Sequence, residues 1–219
     1  MNATGLFVVF EGIDGSGKST QREEVARAIC KWNKYQPVDR DREPTWRAEE
    51  IKKRLESEKD PESNGVVLAN LFIEDRRRHY FEDIRPAIER RRVVLCDRYA
   101  MFTLAYQSLQ GQSMFNLVSL HFSANIRTPD ITFYIAISAE EATRRIALRG
   151  EAHENHDGFN FATNLCEQYE FLYRESQREG QISNLLGRVV KIDGAQDPQH
   201  VTSDILSYFE PVYRERLSK

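Results

Sequence analysis

Gly12-Ile13-Asp14-Gly15-Ser16-Gly17-Lys18-Ser19 decides how the rest of the chain is read. A glycine, four residues and then Gly-Lys-Ser is the phosphate-binding loop pattern, and its surroundings suit it. The apolar run Leu6-Phe7-Val8-Val9-Phe10 before it reads as a buried strand. Thr20 to Trp32 after it places Val25, Ile29 and Trp32 on one helical face. Strand, glycine-rich loop and helix is the order the chemistry needs, because N–H groups at a helix start point at phosphate oxygens and the helix dipole favours negative charge there. Gly15 and Gly17 let the backbone wrap where a Cβ would clash. Gly12, Ile13, Asp14, Gly15, Ser16, Gly17, Lys18, Ser19 and Thr20 therefore form the candidate cradle for a nucleoside triphosphate. Lys18 is expected on the β/γ-phosphates and the Ser19 hydroxyl on Mg²⁺. The octamer alone does not say what receives the phosphoryl group.

Composition narrows the class. The 219 residues carry 31 Lys+Arg against 34 Asp+Glu, a net charge of −3. A pI near 6.0 gives no electrostatic case for nucleic acid as partner. No apolar run approaches a membrane span, and the N-terminus lacks a signal-peptide layout. Cys30, Cys96 and Cys166 are odd in number and widely spaced, which fits neither a disulfide framework nor a metal site. Buried free thiols and a reducing cytoplasmic location are expected.

Short apolar runs recur at Val93–Asp97, Ile131–Ile137 and Val189–Asp193, with a weaker one at Pro37–Asp41. Helical stretches lie between them, at 47–59, 66–79, 139–149 and 164–179, and Asp197-Pro198 reads as the start of a last helix. Buried strands alternating with helices predict an α/β chain, one domain over 1–219 with a mostly parallel sheet flanked by helices. Ligands of such sheets lie at the carboxyl ends of the strands, so the loops after Phe10, Asp41, Asp97 and Ile137 are where function is expected.

Several constellations fall there. Asp97-Arg98-Tyr99 ends a buried strand. Asp97 stands where a metal-orienting carboxylate belongs, and Arg98 can clamp a phosphate; a strand-end charge pair facing water is the plainer reading. Arg42-Glu43-Pro44 would aim Arg42 at the same crevice, or form a surface turn. Leu68, Phe72 and Arg76 share a helix face, so Phe72 can stack a base and Arg76 bond its edge, or Phe72 is core and Arg76 solvated. Thr103, Tyr106 and Gln107 offer hydrogen bonds to a base or sugar, or are helix surface. The polar segment 151–161 reads as a lid over a phosphate site, bounded by about residues 150–161.

Together these residues resemble the thymidylate kinase (dTMP kinase) family of P-loop nucleoside monophosphate kinases. The match is carried by Phe10 to Thr20, Arg42-Glu43-Pro44, Leu71-Phe72 with Asp75-Arg76, Asp97-Arg98-Tyr99, Ala105-Tyr106-Gln107, Pro129 to Thr132 and Ile192-Asp193-Gly194, in family order from residue 6 to about 195. The resemblance implies a three-layer P-loop fold with a five-stranded sheet and a short lid, and Mg·ATP-dependent phosphorylation of dTMP. It implies Phe72 stacked on thymine, Arg76 and Thr103 on the base edge, Tyr106 beneath the deoxyribose, and Asp14 near the sugar and phosphates. Arg42 and Arg98 would hold the acceptor phosphate, and Ser19 and Asp97 the metal. Arg144 or Arg145 would flank adenine, with Ala195 and Gln196 at its edge. It also implies a homodimer.

The chain departs from the family's pattern in one chemically important place. Family members carry an arginine at the transferring phosphoryl, either in the loop at the position of Gly15 or Ser16 or in the lid. Here the loop residues are small and 151–161 holds no arginine. Arg149 at the lid base, or His153, is the candidate replacement. Thr45-Trp46 stand where glycines are common, and Ala136 where an acid is common. Two other readings stay open: a kinase for another deoxynucleotide or deoxynucleoside, and a catalytically weak nucleotide-binding regulatory protein.

Overall fold

Five strands pair in the order β2-β3-β1-β4-β5, every neighbour parallel, in the computed structural model, which describes residues 5–51, 53, 65–150 and 156–217. They are β1 (Leu6–Glu11), β2 (Val38–Arg42), β3 (Val93–Asp97), β4 (Ile131–Ala136) and β5 (Val189–Asp193). The weak second strand thus runs one residue further than its sequence suggests, to Arg42, which lies beside Asp97 in register.

Side chains of a strand alternate between faces, and β1 feeds two cores. Phe7 and Val9 pack with Tyr99, Leu104, Tyr134 and Tyr169. Leu6, Val8 and Phe10 pack on the other side with Val25, Ile29, Ile205 and Phe209. All five are buried. Burying each is worth roughly 1.5–3 kcal/mol, so β1 is firmly anchored and the loop that follows starts from a rigid base.

On the second face lie α1 (Lys18–Trp32) and α9 (Pro198–Leu217), where Trp32 stacks on Phe209 with centroids 5.9 Å apart. Asp197 accepts from the Gln199 N–H at 2.8 Å, as its place before Pro198 suggests. The first face is covered by α4 (Ala100–Leu109), α5 (Met114–Ser123), α7 (His156–Ser176) and α8 (Gln181–Leu186). The remaining helices are α2 (Gly65–His79), α3 (Arg85–Glu89), joined to α2 by a π-helical turn at Tyr80–Ile84, and α6 (Ala139–Leu148).

Three expectations change. The helix expected from 164 begins at His156, so half of the segment read as a lid loop is helical backbone. Cys30 is exposed and Cys166 half-buried; only Cys96 is a buried thiol. Cys30 lies in α1 but off the face that packs on the sheet. Of the helix expected at 47–59, residues 49–51 and 53 are helical, 47 is in a turn, 48 is irregular, and the rest lies outside the described residues.

Candidate active site

Gly12, Gly15 and Gly17 all take positive φ, at 140°, 82° and 94°, so the loop winds through backbone conformations that other residues avoid. Gly17 caps α1 without any side-chain bond, and the first turn has no acidic residue. By contrast, Ser113 and Ser138 cap α5 and α6 through their hydroxyls. The start of α1 is thus left to an external anion. Lys18 is buried beneath the loop, its Nζ donating to the Ile13 carbonyl at 2.8 Å. Burial, and next the Arg98 charge, pull its pKa down to about 8, while Asp97, Asp14 and Glu11 oppose the fall. It stays mainly protonated at neutral pH.

Beside the loop is a cleft of about 580 Å³ lined by Lys18, Ser19, Arg42, Asp97, Arg98 and Arg149, among others. Asp14 reports its field. Desolvation pushes this carboxyl up, yet Arg98, Lys18, Arg42 and Arg149 together outweigh it and hold its pKa low. Four cations from four separate elements therefore converge on one point. Arg98 is paired to Asp14 through Nη2, lies 4.6 Å over the Phe102 ring and keeps a buried Nε without a partner among the described residues. The reading of Asp97-Arg98 as a water-facing pair does not hold: both are buried.

The donors at the metal position fit a hard cation. Ser19 Oγ donates to Asp97 Oδ2 at 2.6 Å, and the buried Oδ1 has no partner among the described residues. A hydroxyl and a carboxylate are oxygen ligands of the kind Mg²⁺ selects.

Glu11 has no assigned role in the sequence reading, yet it organises this corner. Fully buried at the end of β1, its Oε1 accepts from the Tyr99 and Phe102 N–H groups at 2.8 and 3.2 Å, and its Oε2 from the Tyr169 hydroxyl at 3.0 Å. It thus caps α4 from another strand. Arg98 sits at φ 71° immediately before that cap, so the turn that aims it is secured from below. Burial raises the Glu11 pKa despite these bonds. A lone acid closing an apolar strand is the signal that marks it.

On the far side of Arg98 lies an aromatic wall. Phe72 meets Phe102 edge-on at 5.7 Å, Phe102 meets Tyr106 at 5.2 Å, and Tyr106 meets Phe161 at 4.9 Å. Thr103 and Gln107, one helical turn apart on α4, are fully buried rather than helix surface. Gln107 has no partner among the described residues at either Nε2 or Oε1. Arg76 is not solvated. Its Nε donates to Glu43 Oε2 at 2.7 Å, Nη1 to His121 Nε2 at 2.7 Å, and Nη2 to the Tyr99 carbonyl at 2.8 Å and Thr103 Oγ1 at 3.0 Å. Of five N–H groups, one on Nη1 stays uncommitted.

A smaller pocket of about 290 Å³ opens on the other side of the loop, lined by Arg145, Leu148, Arg149, Gly194, Gln196 and Pro198, among others. Arg145 spans it, with Nη2 on the Gly194 carbonyl at 2.9 Å and Nη1 on that of Gly15 at 3.4 Å. Arg144 turns outward onto Glu141. The Ala195 N–H donates to Asp193, and Gln196 Nε2 to Asp204. His153 lies outside the described residues, and Trp46 is 77% exposed over Arg47.

Sequence comparison meets this geometry. The family description Thymidylate kinase matches residues 10–186, a span holding the loop, both buried arginines and α4. The chain belongs to the thymidylate kinase family. It is 34% identical over 207 residues to a thymidylate kinase of Ruegeria pomeroyi, covering 94% of each chain. It is 31% identical over 174 residues to one of Bacillus velezensis, covering 76% of this chain and 81% of the other. A Bacillus pumilus thymidylate kinase is 26% identical over 217 residues, with 97% and 98% covered. Like the rest of its family, the protein is a phosphotransferase. No helix among the described residues is long and apolar enough to cross a membrane.

Gly15 and Ser16 are the loop positions where the resemblance implies an arginine, and at Gly15 there is no room for a side chain. A Cβ built on Gly15 would lie 2.9 Å from the Ala142 carbonyl oxygen and 3.2 Å from its Cα, on α6, at a φ that L-residues avoid. Arg149, just beyond the end of the same helix, borders both pockets instead.

Proposed function

We propose that the protein transfers the γ-phosphoryl group of ATP to dTMP, giving dTDP and ADP. Gln107 carries the assignment of the base: a buried primary amide without a partner at either end matches the N3–H donor and O4 acceptor of thymine. An amide can rotate to serve cytosine as well. The remaining Arg76 N–H and the Thr103 hydroxyl, whose oxygen already accepts from Arg76, are donors that favour O4 and oppose an exocyclic amine. Phe72 would stack on the base and Tyr106 lie beneath the sugar.

ATP would lie along the loop, its adenine between Arg145 and Gln196 and its phosphates on Lys18 and the start of α1. The acceptor phosphate would be held by Arg42 and Arg98, with Asp14 displaced toward the sugar. An acceptor oxygen attacks the γ-phosphorus, the bond to the β–γ bridging oxygen breaks and ADP leaves. A phosphate oxygen needs no general base, so catalysis is alignment plus neutralisation of charge, which Lys18, Arg98 and Arg149 supply. Ser19 and Asp97 would hold Mg²⁺, which adds charge neutralisation at the triphosphate. We assign the arginine role to Arg149 because it borders both pockets and its charge reaches Asp14. The proposal includes one catalytic domain working as a homodimer in the cytoplasm.

The test is ADP release from Mg·ATP with each nucleoside and nucleoside monophosphate. Turnover with dTMP well above dCMP, and its loss by about 10-fold or more in kcat/KM for Gln107→Leu, is expected. Preference for another acceptor would reassign the base. No turnover with any acceptor would make the chain a binding protein.

A further inference from the structure

Half-buried Asp41 and buried Glu43 and His79 form a brace that the chemistry above does not use. Asp41 and Glu43 are two residues apart at the end of β2, so their side chains leave the same face. His79, at the end of α2, meets both: Nδ1 is 3.0 Å from Glu43 Oε1 and Nε2 is 3.4 Å from Asp41 Oδ2. A ring hydrogen-bonded to one carboxylate and within ion-pair distance of a second is favoured as an imidazolium. Burial alone would depress its pKa, but the two carboxylates raise it to about 10. Arg42, between them, leaves the opposite face and lines the cleft. Glu43 spends its other oxygen on Arg76 Nε.

Cys96 completes a set with Glu43 and His79 whose ligand atoms lie within 4.8 Å, a spacing that suits a metal. These donors are already committed, however: both Glu43 oxygens accept, and the Cys96 thiol donates to the Arg98 carbonyl at 3.1 Å. The set is better read as a mechanical joint. Along it run Asp41, His79, Glu43, Arg76 and His121, alternating in charge down to a neutral histidine whose Nδ1–H donates to the Leu117 carbonyl at 2.7 Å. Asp41 at one end adjoins Arg42, and Arg76 near the other end also holds Thr103 Oγ1.

We propose that His79 is a positioning residue that fixes the separation between the two ends of the acceptor nucleotide site, acting through Arg42 on the phosphate and through Glu43 and Arg76 on the base. The inference rests on the assignment of dTMP as acceptor. By clamping residues 41 and 43 it aims residue 42, and the same clamp sets where Glu43 can hold Arg76.

A double-mutant cycle tests this, with steady-state kinetics for both substrates and thermal melting as a fold control. His79→Gln, which loses the charge and one of the two bonds, is expected to raise the KM for dTMP about 10-fold while leaving that for ATP unchanged. In an Arg42→Ala background the same change should cost less, because one of the two groups it positions is gone. Asp41→Asn, half-buried and gentler to the fold, should shift the KM for dTMP in the same direction by a smaller factor, and it carries the test if His79→Gln does not fold. Equal effects on both substrates, an unchanged KM for dTMP, or full additivity with Arg42→Ala would overturn the inference. A wild-type protein inert toward dTMP would overturn the function proposal and this inference with it; an active wild type with any of the other failures overturns the inference alone.

Discussion

Placing an arginine in the phosphate-binding loop should harm this enzyme rather than help it. Gly15→Arg puts a side chain on backbone at φ 82°, and its Cβ would fall 2.9 Å from the Ala142 carbonyl oxygen. The left-handed conformation costs a non-glycine residue roughly 1–2 kcal/mol. Because the neighbour is helix backbone, which cannot rotate away, overpacking adds about 1–3 kcal/mol. A loss of about 2–5 kcal/mol corresponds to a fall in Tm of roughly 5–15 °C for a domain of this size. The damage is also directional. Relief of the clash pushes α6 away from the loop, and that helix carries Arg145 and leads into Arg149, so the KM for ATP should rise and kcat should fall. Thermal melting and steady-state kinetics with ATP varied at saturating dTMP measure both. Unchanged Tm together with increased turnover would refute the reasoning, since it would mean that the loop accommodates the arginine and lacked only its charge.

Arg149→Ala should lower kcat by roughly 10²–10³-fold, the scale for removing one preorganised charge at a reacting centre, with Arg149→Lys partly active; an unchanged kcat would leave the missing positive charge unexplained. Asp97→Asn should raise the Mg²⁺ concentration needed for half-maximal turnover by about 10- to 100-fold, read from a Mg²⁺ titration at fixed ATP. Stability should be greatest near neutral pH because two buried histidines titrate in opposite senses. The pKa of His79 is raised from 6.5 to about 10, so its contribution is intact below about pH 6.5 and is lost as pH rises toward 10. Burial and Arg76 depress the pKa of His121 to about 3, so its contribution is intact above about pH 6.5 and is lost as pH falls toward 3. Melting curves across pH should therefore have a shallower acid limb in His121→Gln and a shallower alkaline limb in His79→Gln, each variant flattening mainly one side.

Much of this site is legible in the chain because its signals are local. A strand, three glycines and Lys18-Ser19 lie within twenty residues, and phosphate recognition there depends on backbone geometry that those residues impose directly. Arg98 and Asp97 are legible as well, since a charged pair closing an apolar strand lies where parallel sheets bind ligands. The environment of a distant side chain is different. Arg76 reads equally as solvated or as base-facing, and only its burial against Glu43, His121 and Thr103 removes the first of these. Gln107 reads equally as a hydrogen-bonding group for a base or sugar and as helix surface until its complete burial is seen. Glu11 passes unremarked because its partners, Tyr99, Phe102 and Tyr169, are 88 to 158 residues away.

The amino-acid pattern by itself determined the α/β architecture, the donor nucleotide cradle and the family, because strand alternation, helix periodicity and loop stereochemistry are properties of contiguous residues. Tertiary structure decided the rest: that Arg149 borders both pockets beside the loop, that a Cβ at Gly15 would meet the Ala142 backbone, and that His79 and Glu43 join the end of β2 to Arg76. Those are questions of distance, burial and charge between segments far apart in the chain, and they have answers only once the sheet and its helices bring the groups into contact.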